Sequence, residues 1–140
     1  MRGREPQGTE RAAALAGAAV MAALAAAPGQ GKAKEERLAL PSGLTARLQE
    51  VIRQEGPVMR FRYVAPGFDR AAGLSAIQAD LEHLCAAHAA PRARAAGADG
   101  ARIVVSLADR ASEFGVFDPE VAQVFEAYRL ENGVCIWEAF

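Results

Sequence analysis

Phe125–Phe140 reads FEAYRLENGVCIWEAF, and whether its first half is helix or strand decides the fold. Asn-Gly between two alternating runs is the strongest short-range sign of a two-residue hairpin, because both turn residues must take positive φ. Asn132-Gly133 stands in that place, with Phe125–Leu130 before it and Val134–Phe140 after it. The rival is a longer helix. Val121, Val124, Phe125 and Tyr128 keep a helical spacing behind Asp118-Pro119-Glu120, an N-cap followed by a proline and a first-turn acid. The expectation is one helical turn at 118–120 and then a strand.

Upstream, Arg102–Leu107 (RIVVSL) alternates Ile103, Val105 and Leu107 against Val104 and Ser106, the pattern of a strand. Before it, Ser75 with Gln78 has the form of a capping box, and Gly73 frees the chain to turn. Leu74, Ile77, Leu81, Leu84, Cys85 and His88 share one helical arc, which Pro91 is expected to end. Further back, Leu44–Gln54 and Val58–Val64 alternate around a Glu55-Gly56-Pro57 turn and read as a hairpin. In the first run Leu44, Ala46, Leu48 and Ile52 share a side that Glu50 interrupts, which suggests a bulge there. The order is β-β-α-β-β-β. The fold class expected is α+β, a two-layer sandwich of about five antiparallel strands with one amphipathic helix on one face.

The chain of 140 residues has room for one small domain, expected over residues 38–140. Sixteen basic residues against 17 acidic ones give a net charge of -1, which lacks the electrostatic footprint of a nucleic-acid binder. Ahead of the domain, Arg2, Arg4 and Arg11 precede an uncharged run from Ala12 to Ala27, and Ala23-Leu24-Ala25 supplies small residues at a cleavage site. That is the order of a secretory signal peptide over residues 1–25, too short at its apolar centre to span a membrane, with a polar tether at 26–37. The mature protein is expected in the periplasm with no membrane span. Two cysteines, Cys85 and Cys135, suggest a bridge in an oxidising space; two buried free thiols are the alternative if the chain is not exported.

No cofactor motif, nucleophile elbow or metal-binding spacing occurs, so no catalytic, cofactor or metal residues are assigned. Asp80, His83 and His88 are the only handles for a rival reading as a small periplasmic hydrolase. His83 lies opposite the apolar stripe, and His88 lies on it near the helix end, where the dipole favours its charge. The other hints concern surfaces. Arg60 and Arg62 project from one face of the second strand, Arg47 and Arg53 from one face of the first. Ser112–Phe117 (SEFGVF) carries Phe114 and Phe117 around a glycine. Arginines in a row are commonly the wet side of a sheet, and loop aromatics can fold inward. Arg60, Arg62, Phe114 and Phe117 nevertheless form the candidate surface for a periplasmic protein or small ligand.

The runs Ala79–Cys85 (ADLEHLC), Val104–Arg110 (VVSLADR) and Phe125–Arg129 (FEAYR), followed by Cys135–Phe140 (CIWEAF), resemble a small exported alphaproteobacterial family of unknown function. The resemblance covers roughly Leu40 to Phe140 and implies no functional residues. Both cysteines match positions where that family is expected to carry cysteine, which favours a Cys85–Cys135 disulfide. Some similar proteins bear an acetolactate synthase label. This sequence does not support it, because Gly97-Ala98-Asp99-Gly100 has no asparagine at the spacing a thiamine-diphosphate motif needs. The expected role is a non-catalytic binding or assembly module.

Overall fold

The computed structural model describes residues 35–139, together with Gly3. The expected signal peptide and most of the expected tether lie outside the described residues.

Six strands form one sheet in the order of the chain: β1 (Leu38–Ala39), β2 (Thr45–Gln54), β3 (Val58–Val64), β4 (Arg102–Ala108), β5 (Gln123–Glu131) and β6 (Val134–Glu138). The class is α+β, as the alternation implied, with two corrections. β1 adds a sixth strand; at two residues it is too short to show a period. More consequentially, β3 and β4 pair in parallel, with Phe61 opposite Val105 and Tyr63 opposite Leu107, so the sheet is mixed. The helical segment between them crosses one face and returns the chain in the direction it left, which a parallel pair requires and a hairpin cannot supply.

That crossover comprises α1 (Leu74–Leu84), a π turn (Cys85–Ala89) and α2 (Ala90–Ala95). Pro91 does not end it. In an unbroken α-helix its ring would strike the carbonyl four residues back. The chain widens one turn ahead instead, the Ala90 N–H reaching the Cys85 carbonyl, and Pro91 falls in the first turn of α2, where a missing N–H costs little. The capping box does not form either. Gly73, at φ 97°, is the N-cap, and Ile77 donates to its carbonyl at 3.2 Å, which places Ser75 inside the first turn. Leu74 is thereby left exposed, while Ile77, Leu81, Leu84, Cys85 and His88 are buried.

The core lies between this segment and one sheet face. It contains Met59, Phe61 and Tyr63 from β3, Ile103, Val105 and Leu107 from β4, and Tyr128 and Leu130 from β5. At about 25 cal/mol per Å², each such fully buried side chain contributes about 1.5–3 kcal/mol. Cys85 and Cys135 lie at disulfide distance across this interface, their Cα atoms 6.3 Å apart, linking the crossover to the last strand.

The hairpin ends follow from local chemistry. Asn132 (φ 49°) and Gly133 (φ 78°) are both left-handed, as the β5–β6 turn demands. In β2 the register slips between Leu48, opposite Tyr63, and Glu50, opposite Arg62. Gln49 is the extra residue of a bulge, so side chains exchange faces there: Val51 and Arg53 follow Leu48 onto the helix side, and Ile52 joins Glu50 on the other. Arg47 and Arg53 accordingly do not share a face. At Asp118-Pro119-Glu120 the chain makes a turn, not a helical one. Asp118 Oδ1 accepts from the Glu120 N–H and its carbonyl from Val121, after which β5 begins at Gln123.

Candidate functional site

The sheet face away from the helices carries Arg60, Arg62, Val104, Ser106, Phe125 and Ala127. Residues 109–122, between β4 and β5, run across it. Their ends are clamped: Ala122 N–H donates to Asp109 Oδ1 at 3.0 Å, and Asp109 N–H to the Ala122 carbonyl at 3.0 Å. The Arg110 guanidinium, then the Ala122 amide, hold the Asp109 carboxyl below the usual carboxylate range.

A second anchor fixes the middle. Arg62 Nη1 donates to the Ser112 carbonyl and Nη2 to Ser112 Oγ, each at 3.0 Å, while Gln49 Nε2, aimed by the bulge, donates to the same carbonyl at 2.9 Å. Arg62 is 3% exposed and pairs with Glu50. Its Nε and the hydroxyl of Ser106, its register neighbour on β4, are buried without a partner.

Pinned at Ser112, the loop turns its apolar tip outward. Phe114 is 45%, Val116 57% and Phe117 89% exposed. The Phe114 ring lies over two guanidinium carbons, Arg60 at 5.3 Å and Arg62 at 5.5 Å, and Phe125 holds the other contact with Arg60 at 5.6 Å. Cation–π contacts of this kind contribute about 0.5–1 kcal/mol each where partly exposed. Between loop and strands runs an open groove of about 380 Å³, lined by Arg60, Arg62, Glu113, Phe114, Phe117 and Phe125 among others. The structure thus brings Arg60, Arg62, Phe114 and Phe117 to one place. Gln49, Glu50 and Phe125 were not singled out from the sequence; the bulge at Glu50 was the one available signal for the first two.

The residues of the hydrolase reading do not converge. Asp80 is buried and accepts from the Ser42 N–H at 2.9 Å; His83 is exposed. His88 is buried in the π turn, hydrogen-bonded through Nδ1 to the Tyr63 hydroxyl at 2.8 Å and through Nε2 to Glu36 at 3.2 Å, while Arg92 also donates to Glu36 at 2.7 Å. Burial, then the Arg92 charge, push the His88 pKa below its usual value against the pull of Glu36; because the helical segment runs on to Ala95, His88 is not at the helix end where a dipole would favour its charge. Among the described residues no three His, Cys, Asp or Glu side chains are grouped to hold a metal, and no helix is long and apolar enough to cross a membrane.

A family model described as a family of unknown function (DUF6497) matches residues 17–140. No curated protein and no solved structure matches the chain.

Proposed function

The chain belongs to that family of unknown function, and from this premise we propose that it is an exported, non-catalytic binding module whose docking surface is the loop tip around Phe114 and Phe117 with Arg60 and Arg62 beneath it. One observation carries the reading: Phe117 is 89% exposed on a loop that is otherwise tied down at both ends and at Ser112. A loop that could fold inward would bury its phenylalanines; this one is braced with them pointing out. Large aromatics with an adjacent arginine are the residues that anchor protein interfaces. The periplasm is the site of action, in keeping with the arginine-flanked apolar run before Ala25 and with two cysteines held at disulfide distance.

A photoreactive amino acid in place of Phe117, expressed in the native host, tests the docking. A discrete adduct is expected, lost when Phe114→Ala is added, and absent when the probe replaces the exposed His83. The same pattern from both positions, or no adduct, sinks the proposal. Intact mass of the protein recovered from the host tests export: a product beginning near Ala26 and two hydrogens short supports export and bridge together, and a full-length reduced chain overturns both.

A further inference from the structure

The docking surface holds a cation that no described residue neutralises. Arg60 is half-buried, its guanidinium carbon 5.3 Å from the centre of the Phe114 ring and 5.6 Å from that of Phe125, and it lines the groove. Among the described residues it makes no ion pair. Among the described residues its hydrogen bond runs from Nε to Gln54 Oε1 at 3.4 Å, and the charge acting on it is that of Arg62, of like sign. Arg62 is spoken for by Glu50 and Ser112, yet its Nε–H is buried without an acceptor beside the same groove. A partly desolvated guanidinium with free donors and a like-charged neighbour is a site that an anion relieves. Glu113 also lines the groove without pairing to either arginine.

Building on the docking reading above, we infer that the groove receives an extended segment of a partner protein whose acidic side chain pairs with Arg60 while flanking apolar residues cover Phe114 and Phe117. The apolar rim at Val116 and Phe117 extends the contact beyond one carboxylate. Planar Arg, fixed by stacking, matches a carboxylate fork better than a mobile Lys would.

The test is titration of 15N-labelled protein, recovered from its host, with acetyl-Phe-Glu-Phe-amide and acetyl-Phe-Gln-Phe-amide, following backbone amides and arginine Nε–H signals. The Glu peptide should shift Arg60 Nε–H and the amides of 113–117 saturably, and bind about tenfold tighter than the Gln peptide. Arg60→Gln should erase that preference, and Glu113→Gln should strengthen binding about two- to threefold by removing a competing negative charge. Equal binding of the two peptides, or shifts centred elsewhere, overturns the inference. Phenylacetate binding as tightly as the Glu peptide would also overturn it, in favour of a small-molecule site. Loss of Glu/Gln discrimination with Phe117 cross-linking intact refutes the carboxylate alone; loss of cross-linking refutes the docking surface itself.

Discussion

Replacing Arg62 by methionine tests whether the loop is braced as described. The substitution keeps the unbranched apolar stem while removing the guanidinium, and with it two hydrogen bonds to Ser112, each 3.0 Å, the pairing with Glu50 and the contact with the Phe114 ring. Hydrogen bonds from a charged donor are worth about 1.5–3 kcal/mol each before offsets. Three offsets apply. Ser112 keeps one donor, Gln49, at 2.9 Å. Glu50, 40% exposed, can rehydrate once unpaired. The Arg62 Nε–H, buried without an acceptor, already costs about 1–3 kcal/mol that methionine recovers. The balance is a loss of about 1–2 kcal/mol, visible as a lower urea midpoint at unchanged slope. Hydrogen exchange should localise it: amides of 112–117 should exchange faster by about tenfold, while β4 amides keep their protection. If Arg62→Met is as stable as the parent and the loop exchanges no faster, the guanidinium contributes nothing net, and the clamp at Asp109 and Ala122 sets the loop.

Three further outcomes are expected. Replacing both cysteines by alanine opens a closure of 50 residues, which the chain-entropy model values at about 4 kcal/mol; reductant should lower the parent's urea midpoint to the same point, and a midpoint indifferent to reductant refutes the bridge. Because the folded pKa of His88 lies below its ordinary 6.5, the unfolded chain binds the extra proton first. Its contribution is therefore complete above about pH 6.5 and is lost as pH falls through the window below, so His88→Gln should flatten the fall in Tm between pH 7 and 5, and parallel curves for the two proteins would contradict this. Gly133→Ala should cost about 1 kcal/mol in thermal or urea unfolding, since φ 78° strains any Cβ and the added carbon would come within 2.8 Å of Arg94 Nη1; a neutral result would mean that the turn relaxes without loss.

Local features were legible in the sequence because they are settled by neighbours a few residues away. Val58–Val64 needed only its alternation, the β5–β6 turn only Asn-Gly, and the bulge only a polar residue out of phase at Glu50. The misreadings share a cause in distant parts of the chain. Pro91 looked terminal because the widened turn that accommodates it depends on how the crossover sits against the sheet. The β3–β4 pairing joins segments whose alternation is identical in parallel and antiparallel sheets. At the candidate site, the sequence put Arg60 and Arg62 on one face and aromatics on a loop. That Arg62 would be buried under Ser112 while Arg60 stayed open follows from where residues 109–122 cross, which no local pattern encodes.

The parallel seam at β3–β4 divides the sheet into two antiparallel meanders, with residues 65–101 as the backbone link between them. Their order of assembly follows. The β2–β3 and β5–β6 hairpins can zip on the microsecond scale, whereas the seam must first close the crossover against the entropy of a long loop. Cys85 lies in that crossover and Cys135 in the far meander, so docking of the seam is what holds the two sulfurs together. With a single thiol pair there is no wrong intramolecular partner to trap. Protection of the thiols from alkylation during refolding is therefore expected to rise with the joining of the two halves.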